Sequence, residues 1–373
     1  MIYFDNAATT RSKPEAVYDA FNYYVREIGT SPGRGSYSLA IQASRKLYQT
    51  RKTVARYFGA TDPSNVVFTK NSTEAINLFF RGYLKRGDHV LITSFEHNAV
   101  LRPLHAMKEE GLIDYSILPE KVVYNPEQYL REYVQPNTKM IAITLASNLT
   151  GQIVFSDVLA SAAHQLGLMV FLDSSQGAGK LRLDMNNDGI DVLAFTGHKD
   201  LMALPGVGGL VYSKPMALNP LIQGGTGIHG ESYINPEAYP DSYEAGTLNM
   251  PAIWSLKAAI EYVEEYFEKI AQKEESIMEH LVEKMKTLDN VLLYNVEKKR
   301  VSTICFNVRG VPSSEVVRIL DHASICVRGG IHCAILAHET LGTVDTGAVR
   351  VSLNYMNTIE EIDYFIGVIK GIS

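Results

Sequence analysis

Two apolar, strand-like runs end in residues that could do chemistry together. Met169-Val170-Phe171-Leu172 runs into Asp173 and then Ser174-Ser175-Gln176, and Val192-Leu193-Ala194-Phe195 runs into Thr196-Gly197-His198-Lys199. A carboxylate and a lysine at nearby strand ends are what pyridoxal 5'-phosphate (PLP) chemistry needs. The lysine forms a Schiff base with the cofactor aldehyde. The acid keeps the pyridine nitrogen protonated, so the ring accepts electrons. A lysine after a strand is by itself an ordinary surface feature, so the reading depends on what else the chain supplies.

A phosphate site comes first. The run 66–69 reads as a strand, followed by Asn71-Ser72-Thr73-Glu74 and a helix with Ile76, Phe79, Phe80 and Tyr83 on one face. Free backbone N–H groups at a helix start, with hydroxyls beside them, suit a phosphate. The same residues also read as a helix cap, Asn71 with Glu74 three positions on, and the two readings can coexist. Next, the run 90–93 leads into Ser94-Phe95-Glu96-His97-Asn98. The His97 imidazole is placed to stack on a pyridine ring and relay protons, or is simply structural. Asn148, after the run 140–145, and Gln176 each offer an amide to the cofactor's phenolic oxygen.

Two features lie far downstream. Val327-Arg328-Gly329-Gly330-Ile331-His332-Cys333-Ala334 sets a thiol in a glycine-bearing, flexible-looking segment that is too polar for a core. A free thiol has a pKa of about 8.5, and nearby cations would raise its thiolate fraction. Cys305 and Cys326 lie in apolar strand-like runs and read as core. Arg350, in Gly347-Ala348-Val349-Arg350-Val351-Ser352, can grip a substrate carboxylate through two parallel hydrogen bonds, or form a structural salt bridge.

The elements that must position these groups follow from the pattern. Strand-like runs at 66–69, 90–93, 140–145, 169–172, 192–195 and 210–212 alternate with helical segments, which predicts an α/β fold with a largely parallel sheet covered on both faces. Such sheets bind ligands outside the carboxyl ends of their strands, where Asp173 and Lys199 fall. After Pro251 the texture changes. A long helix over 252–288 carries Ile253, Leu256, Ile260, Val263 and Phe267 on one stripe. Strands near 302–308, 325–328 and 349–353 follow, with helices opening near Ser313 and after Thr358. This predicts a large domain over 16–250 and a smaller α+β domain from 1–15 and 251–373.

Bulk properties exclude several classes. With 373 residues and a net charge of −6, the chain is large enough for two cores and too acidic for non-specific nucleic-acid or polybasic membrane binding. No apolar stretch approaches the roughly 20 residues that span a bilayer. The start, Met1-Ile2-Tyr3-Phe4-Asp5-Asn6, does not read as a secretory signal. Three cysteines without metal-ligand spacing point to a reducing cytoplasm and to no zinc site or disulfide framework.

Taken in order, these motifs resemble the cysteine desulfurase family of class V aminotransferase-like, fold-type I PLP enzymes. The likeness runs from Tyr3-Phe4-Asp5-Asn6-Ala7-Ala8-Thr9-Thr10 through Asn71 to Asn77, Glu96-His97-Asn98, Ser147-Asn148, Asp173 to Gln176 and Gly197-His198-Lys199. It continues through Tyr243-Glu244-Ala245-Gly246-Thr247 and Arg328 to Ala334, and ends at Val349-Arg350-Val351-Ser352. It implies a mostly parallel seven-stranded sheet and a set of roles. Lys199 holds PLP and moves protons, Asp173 pairs with the pyridinium, His97 stacks on the ring, and Gln176 and Asn148 hold its oxygen. Ser72, Thr73, Thr196 and His198 bind phosphate. Thr247 reaches the phosphate of a partner subunit in a homodimer. Arg350, with Arg328 and Asn148, binds the substrate. Cys333 takes sulfur from L-cysteine as a persulfide, releasing L-alanine, and the short loop around it resembles the compact-cysteine-loop branch.

The resemblance also implies a sulfur acceptor, protein or thiol, as in iron–sulfur cluster assembly. Departures such as Ala146 before Ser147-Asn148 and Asn71-Ser72-Thr73 in the phosphate turn point to a less characterised subgroup. Selenocysteine lyase, aminotransferase and a non-catalytic sulfur-carrying scaffold are the alternatives.

Overall fold

The structure is a computed structural model that describes residues 1–33, 35–228 and 230–372. At its centre is a seven-stranded sheet. From one edge to the other, its strands are Val66–Thr69, Gly208–Tyr212, Val192–Thr196, Met169–Asp173, Thr138–Thr144, Asp88–Thr93 and Ile113–Leu118. Gly208–Tyr212 runs antiparallel to both neighbours, and the other pairs are parallel.

The central strands are apolar on both faces because both faces are covered. Successive side chains point to opposite faces. Leu91, Ile141, Ile143, Val170, Leu172, Leu193 and Phe195 therefore enter one core, while Val90, Ile92, Met140, Ala142, Phe171, Val192 and Ala194 enter the other. The helix Ser72–Tyr83 packs on the second face, with Phe79 stacked on Phe171 at 5.0 Å between ring centroids. That contact holds the middle of the helix against the strand ending in Asp173.

Ile113–Leu118 is a strand that the sequence reading did not name. It lies at the sheet edge and exposes Asp114 and Ile117, so its apolar run is broken. The smaller sheet is antiparallel, in the order Arg328–Gly330, Ala348–Ser352, Thr303–Val308, Val291–Leu293. The expected single strand near 325–328 is two. Ile325–Cys326 pairs in parallel with Ile2–Tyr3, whereas Arg328–Gly330 joins the edge of the smaller sheet. The glycines there form strand rather than open loop.

A third core joins Phe4 to residues between Ile277 and Ile372. The helix Met250–Lys286 reaches from the first core, through Ile253, Leu256 and Ile260, to this third one, through Ile277 and Leu281. The N-terminal segment makes a second connection. Asp5 bridges to Ser352 on the smaller sheet. A few residues on, Thr10 N–H and Thr9 Oγ1 donate to His198 O, at 3.0 and 3.1 Å, and Thr10 Oγ1 donates to Lys199 O at 2.8 Å. Residues 5–10 thus form a strap from Arg350's strand to the turn that carries Lys199.

Candidate active site

The parallel strands end at a cavity of about 240 Å³. Asp173, Lys199, His97, Asn148 and Gln176 line it, together with Ser72, Thr73, Thr196 and His198. Asp173 and Thr196 are the last residues of their strands, and His97 precedes the helix Asn98–Glu109. Lys199 sits in a tight turn closed by Met202 N–H donating to Lys199 O at 2.8 Å.

Burial governs the electrostatics. It pushes the Lys199 amine below the ordinary lysine pKa, against the pull of Asp173. A lysine so shifted is more readily neutral and nucleophilic. Burial, reinforced by positive Lys199, holds the His97 pKa at about 4. His97 Nδ1 accepts Ala99 N–H at 3.0 Å, so the neutral ring carries its proton on Nε2. His198 is also pushed down to about 4, by burial and then by Lys199.

The phosphate turn is both a cap and a cradle. Asn71 Oδ1 accepts Glu74 N–H at 2.9 Å, and Glu74 Oε2 accepts Lys70 N–H at 2.6 Å. The Asn71 half of the expected capping box is therefore present, while Glu74 reaches Lys70 N–H instead of Asn71 N–H, and Ser72 and Thr73 at the helix start line the cavity. Gly208 allows this packing, since a Cβ there would lie 2.6 Å from Phe195 O and 2.8 Å from Asn71 C.

Arg350 and Cys333 are not among the cavity's lining residues, but Asn148 joins both to it. Asn148 O accepts from Arg350 Nη1 at 2.8 Å, and Asn148 Nδ2 donates to His332 O at 2.7 Å. Cys333 O accepts Asn98 N–H at 2.9 Å, and His332 Nε2–H donates to Ala348 O at 2.8 Å. His332 and Cys333 have φ of 54° and 56°, a left-handed turn closed by Ala334 N–H on Ile331 O at 2.9 Å. The flexible-looking segment is therefore a fastened turn, because the carbonyls of His332 and Cys333 and the His332 ring find partners on three other elements. Cys333 itself is exposed, Cys305 is fully buried and Cys326 is half-buried.

Arg350 also carries the salt bridge that the sequence left open, with Asp5 Oδ1 2.7 Å from Nη2. Arg328 is its cross-strand partner. Like charges directly opposite each other repel, so the pair favours an anion beside it. Thr247 is exposed and lies in a different depression, with Thr69, Lys70 and Glu244. It is not among the residues that line its own chain's cavity.

Comparison with known proteins decides the family. The aminotransferase class-V model matches residues 2–365. A probable cysteine desulfurase from Methanothermobacter thermautotrophicus is 33% identical over 97% of this chain and 92% of its own length. Another, from Borreliella burgdorferi, is 30% identical over 100% of this chain and 92% of its own. The chain belongs to the cysteine desulfurases of the class-V aminotransferase family. Among solved structures, the apo cysteine desulfurase of Thermococcus onnurineus superimposes with a TM-score of 0.90 at 31% identity, covering 99% of this chain and 94% of that one. The Escherichia coli cysteine desulfurase CsdA (S-sulfonic acid) gives 0.86 at 28% identity, covering 98% and 93%.

Desulfurases of this family depend on PLP, and the cavity fits that group. An amine, an acid and a helix start with hydroxyls match an aldehyde, a pyridine nitrogen and a phosphate. Two buried oxygens at the cavity, Thr196 Oγ1 and Asn148 Oδ1, have no partner among the described residues and suit a polar ligand.

The sequence reading missed several residues of this desulfurase site. Ser175 O–H donates to Asp173 Oδ1 at 2.5 Å, and Ser175 Oγ lies 2.7 Å from Ser72 Oγ, which links the acid to the phosphate turn. Its signal was only a polar residue two after the acid. Glu96 is fully buried, accepts from Thr93 Oγ1 at 2.7 Å and Thr144 N–H at 2.9 Å, and is pushed by burial up to about 8. Thr9, Thr10 and Asp5 lay inside a motif already noted, but nothing local gave them roles.

Proposed function

We propose that this protein converts L-cysteine to L-alanine and takes the sulfur onto Cys333 as a persulfide. The observation that carries this reading is that Asn148 ties an exposed thiol and a buried arginine to a cavity holding Lys199, Asp173 and His97. Bound PLP supplies an electron sink for the substrate's carbon skeleton. The protein's residues do the rest. Lys199 would hold the cofactor through its amine and would move protons on and off the substrate carbons, as its depressed pKa supports. Asp173, with one oxygen fixed by Ser175, would pair with the pyridine nitrogen. His97, a neutral imidazole whose Nδ1 accepts Ala99 N–H, would cover the ring. Asn148 and Gln176 hold the ring oxygen. Ser72, Thr73, Thr196 and His198 hold the phosphate. Arg350, with Arg328 across the strand pair, grips the substrate carboxylate.

Cys333, as thiolate, then attacks the substrate sulfur. The S–S bond forms as the C–S bond breaks, and its electron pair stays on the substrate carbon, which takes a proton to become the alanine methyl group. The exposed position of Cys333 supports onward transfer to an acceptor, a protein or a small thiol, as iron–sulfur cluster assembly would need. The names of the relatives favour this reading over selenocysteine lyase.

A homodimer belongs to the same reading. Exposed Thr247 is set to serve a partner's phosphate site, and its loop is held by the buried Arg51–Glu244 ion pair. Leu221, Ile222, Tyr233 and Ile234 are exposed on the segment leading into that loop. The proposed division is a large part over 16–250 and a smaller one from 1–15 and 251–373, which the third core supports by joining Phe4 to the C-terminal residues. No helix among the described residues is long and apolar enough to cross a membrane, and a cytoplasmic setting suits three free cysteines.

The test is alanine release from L-cysteine by PLP-loaded protein with a thiol acceptor. Turnover that Lys199→Ala removes, together with a persulfide mapped to Cys333, supports the reading. Full turnover by Cys333→Ala overturns the nucleophile assignment.

A further inference from the structure

Arg350 is buried, with 3% of its side chain exposed, yet its guanidinium is incompletely used. Nη1 donates to Asn148 O at 2.8 Å, and Nη2 meets Asp5 Oδ1 at 2.7 Å. Nε is buried without a partner among the described residues. The ion pair is thus one-toothed, on a group shaped to hold a carboxylate by two parallel bonds. A carboxylate taking Nε and Nη2 together would satisfy the orphaned N–H and meet Asp5 at Nη2. Two carboxylates on one buried guanidinium would repel each other at close range, where little solvent screens them.

Asp5 is built to yield. Its side chain is 19% exposed, the more accessible member of the pair. Its backbone is held independently, through the bridge to Ser352, Asn6 Nδ2 on Ser352 O at 3.0 Å and Ala7 N–H on Ser352 Oγ at 2.8 Å. Rotation of the side chain therefore frees Arg350 without undoing the strap. While Asp5 is in place, it neutralises one of the two arginines that face each other across the strand pair.

We propose that Asp5 is an internal stand-in for the substrate carboxylate, occupying Arg350 until the α-carboxylate of the incoming amino acid exchanges with it. The proposal rests on the reading of Arg350 as the carboxylate-binding residue. Asp5 then sets substrate affinity and selects for a ligand whose carboxylate competes with its own.

The experiment compares PLP-loaded wild type with Asp5→Asn, which keeps the shape and removes the charge. KM for L-cysteine is expected to fall about tenfold with kcat within about twofold. The dissociation constant of L-alanine, read by equilibrium titration of cofactor absorbance without turnover, should fall by the same factor. Asp5→Glu, which retains the charge, should restore wild-type or weaker binding. An unchanged or higher KM in Asp5→Asn, with unchanged or weaker alanine binding, overturns the proposal. If Asp5→Asn does not fold, a wild-type crystal structure saturated with L-alanine decides, because Asp5 Oδ1 should have left Arg350 Nη2 and its retention there overturns the exchange. Arg350→Lys separates the two readings. If it leaves KM and alanine affinity untouched, the carboxylate role of Arg350 fails, whatever Asp5 does.

Discussion

The side-chain amide of Asn148 donates to the carbonyl oxygen of His332 at 2.7 Å, fixing the residue before Cys333 to one that lines the cavity. The same residue's backbone oxygen receives Arg350. Asn148→Ala is expected to loosen the cysteine turn while Arg350 keeps its backbone partner. A displacement of about 1 Å at the nucleophile costs about 100-fold in rate, so kcat should fall by that order with a smaller change in KM. Steady-state alanine release checks this.

Cys333→Ser keeps the turn and removes the sulfur nucleophile. Desulfuration should fall roughly 10³-fold or more, since no other group described at the site replaces a thiolate. Cofactor absorbance and its response to L-alanine should remain. Loss of both would mean that the thiol supports the fold of the site rather than the reaction.

Glu96 and the buried histidines tilt stability in opposite directions with pH. Glu96 has a folded pKa of about 8, against about 4.3 for a free glutamate, so its contribution is full below the free value and is lost as pH rises through 8. His97 and His198, held at about 4, and His332, pushed by burial and Arg350 to about 3, contribute fully above the free value of about 6.5 and lose that contribution as pH falls. Melting temperatures followed from pH 4 to 9 should show that Glu96→Gln gains on wild type as pH rises from 6 to 9. A constant difference between the two would count against a neutral Glu96.

Gly208→Ala should strike the phosphate turn from behind. The added methyl would meet backbone at 2.6 and 2.8 Å, which nearby flexible side chains cannot relieve. Overpacking of this kind costs about 1–3 kcal/mol. A lower melting temperature and faster loss of PLP on dilution are the expected results.

Thr247 can be tested by mixing subunits. Thr247→Val should weaken PLP retention, by about 1–3 kcal/mol for one hydrogen bond to a charged phosphate. Co-refolding it with Lys199→Ala should recover activity, because each mixed dimer then has one site with both Lys199 and the partner's threonine. No recovery would place Thr247 outside the site.

The residues themselves went far toward this site. Continuous apolar runs ending in Asp173, Thr196-Gly197-His198-Lys199 and Glu96-His97 made the parallel sheet and its functional edge legible, because strands covered on both faces carry no polar alternation and stop where the chemistry begins. The cap at Asn71 was legible too, being a contact three residues long. The edge strand Ile113–Leu118 was hidden by its exposed Asp114 and Ile117.

What the tertiary structure alone decided are the pairings between residues distant in the chain. Asp5 meets Arg350, Asn148 meets His332, and Thr10 meets Lys199, across separations of 345, 184 and 189 residues. Asn148–His332 and Thr10–Lys199 depend on how the smaller part docks against the ends of the large sheet, and Asp5–Arg350 on how the N-terminal strap lies along the smaller sheet. Local propensity and periodicity carry no term for that docking, since burial and hydrogen bonding between elements exist only once the elements are packed. The sequence by itself determined the cofactor chemistry and the candidate nucleophile. The packing decided that the cysteine turn is fastened rather than loose, and that Arg350, the proposed grip for a substrate carboxylate, already holds Asp5.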